Sequence, residues 1–483
     1  MKPTQFWLSL ACLILPNIAL GAGFEIPENT TRSVARGGTG AVTKADPSAL
    51  YFNPALLPRA NGTQILLDLN LLTHDVTFSR NDLVLENTTR EFEPTSNTSG
   101  LFAAPFLAIS HDFGVDDLGV AVGVFGPSAY GKQCFGEWDG SECQFEYSNS
   151  AKHMMLSSDI IEVYFTAGAG YRFDLGNAGA LSVGVAAALA WQRTNFSVVV
   201  DEVQVAPPFN EDPTNQSLLE ARNLQDFQPT GFFGLTWEHS GFRVGASYRP
   251  PISWETTGEF ELDFPEAFDG LAEIEGNTLN FDTEQAGSLR AGVVYEHGVH
   301  PGVEGAPQFD IEFNFVWEDW SRLEYFNIEP DVRLLIAGVE QPLNAVVQPK
   351  QWQDTYSFRL GGSYAPLPWL TTFAGGAWES AAQPEAFTNV DFASWERTTL
   401  GIGAALHLVE WLDIELAYSA IISPDRNVTD GEVYQPIPTS GCTGPDYQED
   451  ACATKGTPPG NPQNEGEWST FSQIFSIGTT FKF

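Results

Sequence analysis

The stretch that decides the fold of this chain reads Leu181-Ser182-Val183-Gly184-Val185-Ala186-Ala187-Ala188-Leu189-Ala190-Trp191-Gln192. Every second side chain from Leu181 to Trp191 is apolar, whereas the positions between them carry small or polar residues. Because side chains alternate across a β-strand, one face of this segment is wholly apolar and the other is not. The pattern predicts a long strand with two different surroundings.

The same alternation recurs at 242–249, 309–317 and 413–420. A soluble sandwich could produce it, with the apolar face turned to a core. Length and aromatic ends favour a membrane instead, because transmembrane barrels have alternating strands of about ten residues flanked by aromatic girdles. The aromatic residues at the ends of these runs are Trp191, Tyr248, Tyr295, Trp317, Tyr364 and Trp378. The barrel must be closed, since an open sheet edge cannot be satisfied in lipid.

The N-terminus predicts export. Lys2 supplies a positive charge, 6–18 are mostly apolar, and Ala19-Leu20-Gly21 offers small residues for cleavage. The alternative is a retained anchor, but the apolar core is short for a spanning helix. We therefore expect a signal peptide over 1–21 and a mature chain located in the outer membrane of a Gram-negative cell.

The number of alternating runs predicts an antiparallel transmembrane β-barrel of about fourteen strands, an even number as such barrels require. Their approximate centres are 70, 107, 122, 166, 188, 233, 248, 289, 314, 359, 374, 402, 417 and 477. Short turns alternate with long segments, which we assign to the periplasm and the outside respectively. The last strand alternates up to Phe483, a terminal aromatic that resembles the signal read by the outer-membrane assembly machinery.

Charge and cysteine content limit the function further. The net charge of −39 excludes a general nucleic-acid binder, which needs a basic face. Two local cysteine pairs in long outer segments, Cys134 with Cys143 and Cys442 with Cys452, read as two disulfides. A metal site is the alternative, but neither segment holds a histidine between its cysteines. We expect no cofactor.

The segment 22–60 has a different texture from the barrel predicted over 61–483. Its turn and breaker signals include Gly37-Gly38-Thr39-Gly40, Asp46-Pro47 and Asn53-Pro54, with too little alternation for a spanning strand. We expect it to lie in the lumen as a hatch that plugs the barrel. A periplasmic extension is the alternative.

The hatch residues carry a resemblance to a known family. Ala22-Gly23-Phe24-Glu25, Gly37-Gly38-Thr39-Gly40-Ala41, Asp46-Pro47-Ser48-Ala49 and Asn53-Pro54-Ala55-Leu56 resemble the N-terminal hatch of the FadL/TodX family, as do Trp317-Glu318-Asp319-Trp320-Ser321 and the closing strand. This resemblance implies a fourteen-stranded barrel that takes up long-chain fatty acids or aromatic hydrocarbons. It also implies capture among the outer loops, a pocket near the hatch N-terminus and sideways release at a kinked third strand.

The resemblance implies roles for two groups of hatch residues. Phe24 and Ile26 would border the inner pocket, and Asn53, Pro54 and Ala55 would face the kink. The sequence supports a kink by itself, because the third strand runs into Gly126-Pro127 and proline lacks the N–H that a sheet needs. A plain strand end is the alternative.

Polar residues predicted to face the lumen form a second group of candidates: Glu162, Arg243, Arg249, Arg290, Asp310, Glu312, Arg359, Arg397, Asp413 and Glu415. Their mixed signs favour a paired network. Arg290 and Arg359 are candidates for holding a fatty-acid carboxylate. Outer segments 197–226 and 265–279 are candidates for capture through Leu218, Leu219, Phe264 and Phe268, with a short helix expected over 217–224.

The favoured function is uptake of hydrophobic molecules, most of all long-chain fatty acids, by a monomer whose partners are the substrate and outer-membrane lipids. Alternatives are a hydrocarbon transporter, an open diffusion porin or an adhesin. An outer-membrane lipase or protease would need a histidine near a nucleophile or paired acids at the barrel rim, and the seven histidines are scattered. We therefore do not expect an enzyme.

Overall fold

The structure is a computed structural model that describes residues 23, 25–26, 29–84, 89–129, 131–144, 149–201, 211, 216–341, 345–434 and 461–483. The predicted signal peptide over 1–21, Phe24, Cys442 and Cys452 lie outside these residues. No helix in the described part of the chain is long and apolar enough to cross a membrane.

Within the described residues, fourteen strands form the barrel wall. In chain order they are β1 Thr63–Arg80, β2 Phe102–His111, β3 Leu118–Phe125, β4 Ser157–Asp174, β5 Ala180–Asp201, β6 Gln216–His239, β7 Phe242–Arg249, β8 Ser288–His297, β9 Phe309–Glu318, β10 Thr355–Leu367, β11 Leu370–Glu379, β12 Arg397–Val409, β13 Leu412–Ile422 and β14 Gly466–Lys482. Each predicted centre falls inside one of them, which confirms the fold class.

The wall closes on itself by antiparallel pairing. Each strand pairs with the next along the chain, and β14 pairs with β1 from Lys482 opposite Gln64 to Gly466 opposite Arg80. Closure leaves the wall without a free edge, as spanning a bilayer requires. Short turns at one end, such as 240–241 and 410–411, contrast with the long connections at the other end.

The outer face of the wall is apolar, as the alternation predicts. On β5, Val183, Val185 and Leu189 are 40%, 52% and 45% exposed, whereas Ser182 and Ala186 between them are buried. Large apolar side chains turned outward along a whole wall would be unfavourable in water. This face is therefore in contact with lipid.

Four wall strands continue outward beyond the membrane as further strands. The extensions are Ile252–Asp263, Ala272–Gln285, Tyr325–Ile336, Val339–Gln341 and Val346–Pro349. Here the pattern is inverted: Phe260 and Phe281 point inward and are buried, whereas Glu259 and Asp282 point outward and are exposed. The inversion follows from a change of surroundings, because water replaces lipid outside this part of the wall.

Two expectations about the outer segments are wrong. The predicted helix at 217–224 is part of β6, which pairs there with β5. The predicted loop at 265–279 is shorter, since its second half belongs to the strand Ala272–Gln285. Hydrogen-bonded pairing with neighbouring strands stabilises both segments more than an isolated turn of helix would.

The hatch fills the lumen. It contains the helices α1 Thr31–Ala35 and α2 Ala49–Phe52 and the 3-10 helix Pro54–Arg59. Val34, Leu50 and Leu56 are fully buried within it. Glycines at inward wall positions make room: a Cβ on Gly184 would lie 2.2 Å from the carbonyl carbon of Pro54.

Shorter elements complete the fold. The remaining strands are Glu25–Ile26, Leu83–Val84, Thr89–Arg90, Thr95–Ser96, Ser128–Ala129, Lys132–Cys134, Glu137–Trp138, Cys143–Gln144 and Arg426–Val428, and the remaining 3-10 helices are Gly176–Ala178, Glu266–Phe268, Trp320–Arg322 and Glu385–Phe387. Cys134 and Cys143 form the disulfide that their spacing predicts, with a Cα–Cα distance of 5.6 Å.

Candidate functional site

The third wall strand is interrupted in the outer half of the barrel. β3 pairs with β4 as far as Phe125, which lies opposite Tyr164, and then pairing stops. The chain returns to β4 at the short strand Lys132–Cys134, which begins opposite Asp159. Because pairing resumes, the plain strand end is excluded. The predicted kink at Gly126-Pro127 is therefore a break in the wall.

Residue counts explain why the break cannot close by small adjustments. The third strand has six residues between its paired parts, 126–131, against four on β4, 160–163. The excess pair, Ser128–Ala129, leaves the wall and pairs with the hatch strand Glu25–Ile26. The N-terminus of the hatch thus lies beside the break.

An apolar cavity lies next to the break. Its lining side chains come from the segment before β4, from β4 and β5, from the outward extensions and from the segment after β11: Met154, Met155, Ser158, Ile160, Gln192, Thr194, Phe196, Val198, Phe281, Thr283, Phe326, Ile328, Gln348, Asp391 and Phe392. The backbone N–H of Ile160 donates to the carbonyl of Gly131 at 2.6 Å, so the cavity wall and the rim of the break share a residue. The volume of the cavity is about 50 Å³. It is therefore a narrow slot.

Ile26 connects the hatch to this cavity. It is fully buried and belongs to the same apolar cluster as Phe281, Phe326 and Phe392, which line the cavity. The role of Ile26 beside an inner pocket stays a prediction.

An aromatic cluster lies between the cavity and the body of the hatch. Phe125, the last residue before the break, stacks on Phe106 with ring centroids 4.4 Å apart. The ring of Tyr51 on α2 meets Phe125 edge-on at 5.8 Å. Tyr164 and Phe232 complete the cluster and are buried. A displacement of α2 would therefore also move Phe125 at the end of β3.

Hydrogen bonds tie this cluster to the base of the extensions. The Tyr164 hydroxyl accepts from Nη1 of Arg249 at 3.1 Å and from Nε2 of Gln285 at 3.0 Å. Gln285 also donates to Oε1 of Glu162 at 2.8 Å. Glu162 lies on the part of β4 that faces the break. The polar groups next to the break therefore bind one another.

The two arginines proposed for carboxylate binding have other partners. Arg359 donates to Oε2 of Glu379 at 2.9 Å and to Oγ of Ser357 at 2.9 Å. Arg290 donates to the backbone carbonyl of Tyr51 at 3.1 Å and to its hydroxyl at 2.9 Å. Neither residue lines the cavity. Arg359 therefore joins two strands of the wall, and Arg290 joins the wall to the hatch.

Other lumen charges form the paired network that their mixed signs predict. Arg243 bonds to Glu238 and Glu296, and Arg36 of the hatch bonds to Asp310 and Glu312. Inside a lumen filled by protein, breaking such a pair would leave a buried charge without compensation.

The Asn53-Pro54-Ala55 turn does not lie at the level of the break. A Cβ on Gly184 of β5 would meet the carbonyl carbon of Pro54 at 2.2 Å, and one on Gly170 of β4 would meet its carbonyl oxygen at 2.5 Å. From Gly170 to the break at Val163 is seven residues along β4, or roughly 23 Å at about 3.3 Å per residue. Asn53 instead stabilises the hatch, donating to the carbonyl of Ala41 at 2.8 Å. The turn therefore does not lie where the resemblance implies, and the hatch strand Glu25–Ile26 lies beside the break instead.

The outer residues proposed for capture lie around the apolar cluster. Leu219 is buried in it, and Phe264 packs against it from outside. Phe268 lies 6.2 Å from Phe264, ring to ring, and Leu218 is half-buried on the other face of β6. These four residues therefore do not form one continuous apolar path.

The periplasmic side of the hatch is different in character. A wide space, of which the centre of a water molecule reaches about 1000 Å³, is lined by charged groups that include Arg32, Arg59, Glu238, Glu296 and Asp413. We call it the vestibule. An apolar molecule crossing it would have to leave apolar surroundings for charged ones.

The main residues that sequence reasoning missed are the cavity-lining aromatics Phe281, Phe326 and Phe392. The alternation around Phe281 and Phe326 is visible in the sequence, but alternation alone does not show whether lipid or water surrounds that part of the wall. Exposed acids alternating with them, such as Asp282 and Glu329, were the available signal that this part of the wall stands in water.

Comparisons with known proteins agree with this architecture. Residues 12–451 match the family described as outer membrane protein transport protein (OMPP1/FadL/TodX). Among curated proteins, no sequence matches this chain. A Pseudomonas aeruginosa FadL homologue has a similar structure, with a TM-score of 0.72 and 14% identity over 96% of this chain and 100% of the other.

Two solved toluene transporters are similar in structure as well. The Pseudomonas putida transporter TodX gives a TM-score of 0.60 at 15% identity, covering 95% of this chain and 99% of its own. The Ralstonia pickettii transporter TbuX gives 0.58 at 16% identity, covering 94% and 99%. At such low identity these likenesses show the fold. Because the family match spans nearly the whole sequence, the chain belongs to the FadL/TodX family of outer-membrane transport proteins.

Proposed function

We propose that this outer-membrane transporter of hydrophobic compounds receives its substrates in the apolar cavity and releases them sideways, through the break in β3, into the membrane. The observation that carries the proposal is the shared rim: Ile160 both lines the cavity and bonds to Gly131 at the break. An apolar solute that leaves there stays in apolar surroundings, so no cost of entering water arises.

The buried hatch argues against an open porin. Val34, Leu50 and Leu56 are fully buried between the walls, and Arg36 binds Asp310 across the lumen at 2.7 Å. An aqueous path would require these contacts to break. The low conductance expected of the closed state can be checked in planar bilayers.

The sequence analysis expects long-chain fatty acids as substrates, with hydrocarbons as the alternative. The narrow, largely apolar cavity suits a slender chain of either class. TodX and TbuX are toluene transporters, which favours the alternative in part. An apolar lining binds the chains of fatty acids and of hydrocarbons equally well. Only contacts with the head group of the substrate can therefore distinguish the two classes.

A variant with a closed wall tests sideways release. Deleting 128–129 leaves four residues opposite 160–163, and Pro127→Thr restores the N–H that pairing needs. We expect this variant to insert and fold but to take up tritiated hexadecane and oleate at background rates in cells without another transporter of this family.

The matched control deletes 304–305, two exposed residues in the periplasmic turn between β8 and β9. It should transport like the unaltered protein. Normal uptake by the closed-wall variant, with pairing through 126–131 verified by cryo-electron microscopy, would refute release through the break.

A further inference from the structure

We propose that the apolar cavity selects neutral molecules that carry a hydroxyl group, over carboxylates, through the amide oxygen of Gln192 and through an Asp391 carboxylate that keeps the neighbouring ammonium of Lys350 engaged. The inference rests on the proposed function, because it assumes that this cavity is where substrate binds. It identifies the substrate class as long-chain alcohols and related neutral compounds.

The first observation is the charge of the lining. Six polar residues line the cavity: Ser158, Gln192, Thr194, Thr283, Gln348 and Asp391. Five of them are neutral and one is an acid, and no Lys or Arg is among the lining residues that the structure describes. A ligand carboxylate would therefore find no cation on the described surface of this site.

The cation that binds the lining residue Asp391 is neutralised by it. The ammonium of Lys350 binds the carboxylate of Asp391, and the Lys350 side chain is fully buried. Its Nζ also lies 4.3 Å from the ring centroid of Phe326, so it is covered on a second side. Burial lowers the pKa of Lys350, an effect that Asp391 opposes. A ligand anion would have to displace Asp391 and leave that carboxylate buried without its partner.

The arginine at the base of the cavity is also engaged. Arg249 donates to the Tyr164 hydroxyl at 3.1 Å and to the carbonyl of Ala286 at 2.7 Å. It belongs to the same hydrogen-bonded group as Glu162 and Gln285. Binding a carboxylate there would require these hydrogen bonds to be exchanged.

The second, independent observation is a buried amide oxygen that has no hydrogen-bond partner among the described residues. Gln192 is 4% exposed, and within the described residues its buried Oε1 has no hydrogen-bond partner. Gln192 lines the cavity and lies opposite Glu162, at the level of the break. A buried amide oxygen without a donor is unfavourable, and a ligand hydroxyl would supply that donor. A carboxylate has no proton to give it.

Binding by the purified protein tests the selection. Tritiated 1-hexadecanol is bound to the protein in lipid nanodiscs, and hexadecane and palmitate at pH 8 serve as competitors. Because one hydrogen bond contributes about 1 kcal/mol, which is roughly fivefold in affinity, we expect 1-hexadecanol to bind at least about fivefold more tightly than either.

Two variants assign the effect to the amide. Gln192→Leu should lower the affinity for 1-hexadecanol to that for hexadecane and leave hexadecane binding unchanged. Gln192→Lys places a cation in the cavity and should reverse the preference in favour of palmitate. Gln225→Leu is the matched control, since Gln225 is an exposed glutamine on the neighbouring β6 and points away from the lumen. It should bind all three ligands as the unaltered protein does.

The outcomes separate this inference from the proposed function. Palmitate binding as tightly as 1-hexadecanol, or an unchanged preference in Gln192→Leu, would overturn the selection and leave the transport proposal standing. If none of the three ligands binds, the cavity is not the substrate site and both proposals fail.

Discussion

Arg290 of β8 holds Tyr51 of the hatch at two points: one guanidinium nitrogen donates to the Tyr51 carbonyl at 3.1 Å and the other to its hydroxyl at 2.9 Å. The guanidinium also lies over the Tyr51 ring, 4.5 Å from its centroid. Tyr51 in turn contacts Phe125, the residue at which β3 breaks. Arg290 therefore fixes the hatch residue that supports the edge of the break.

Replacing Arg290 by Met should loosen the hatch. The change leaves the Tyr51 carbonyl and hydroxyl without these donors in a buried site, which costs about 1–3 kcal/mol for each unsatisfied group. We expect brief conductance steps in planar bilayers that the unaltered protein does not show. Arg222→Met changes an exposed arginine on the outer face of β6 and should show no such conductance steps. A quiet trace from Arg290→Met as well would show that Arg290 does not hold the hatch.

Gly184 tests whether inward glycines seat the hatch. A Cβ there would lie 2.2 Å from the carbonyl carbon of Pro54 and 2.3 Å from the nitrogen of Ala55, both backbone atoms that cannot move alone. Gly184→Ala should therefore lower the thermal stability of the folded barrel, by about 1–3 kcal/mol as overpacked sites do. Gly376→Ala, whose Cβ would point outward with its nearest atom at 3.1 Å, should have a small effect. Equal melting of the two variants would contradict the account.

The barrel could be predicted from sequence because its alternation is local. A strand such as 181–192 shows its two faces within twelve residues, and each wall strand does so independently of its neighbours. The break could be suspected for the same reason, since Gly126 and Pro127 stand next to each other in sequence.

The cavity could not be predicted in the same way. Alternation shows that Phe281 and Asp282 face opposite sides of the strand, but it does not show which of the two faces the inside of the barrel. That depends on whether lipid or water surrounds the strand, and the outer extensions lie in water. Contacts such as Arg290 with Tyr51 join residues 239 positions apart, which no local pattern encodes.

The disulfide should stabilise the outer segment that follows the break. Cys134 is fully buried, and its carbonyl accepts from the backbone N–H of Thr98 at 2.8 Å. Cys134 and Cys143 are nine positions apart in the sequence. Replacing both by Ser opens the loop between them and should lower the stability of this segment by about 2–3 kcal/mol. Limited proteolysis should then cut between these positions at lower protease concentration. Unchanged cleavage would mean that the surrounding hydrogen bonds suffice.

The periplasmic turn between β8 and β9 should loosen in acid. The unprotonated Nδ1 of His300 accepts from the backbone N–H groups of Gly302 at 3.0 Å and Val303 at 2.9 Å, which requires a neutral ring. Burial lowers the pKa of His300, His407 and Lys482 lower it further, and Asp413 opposes them. With the folded pKa below the ordinary 6.5, this stabilisation is complete above pH 6.5 and is lost as the pH falls below that value.

Hydrogen exchange measures this loss directly. After correction for intrinsic rates, protection of the Gly302 and Val303 amides should fall between pH 7.5 and pH 5. His300→Asn keeps an acceptor oxygen near the position of Nδ1 but does not titrate, so its protection should stay constant over that range. Constant protection in the unaltered protein would show that His300 does not control the turn.

A crystal soaked with 1-bromohexadecane tests the central claim most directly, because anomalous scattering places the bromine without reference to the protein. We predict bromine peaks inside the cavity among Ile160, Phe281 and Phe326 and at the break beside Gly131. Bromine found instead in the charged vestibule between Arg32 and Arg59, with an empty cavity, would contradict sideways passage and support a route through the lumen.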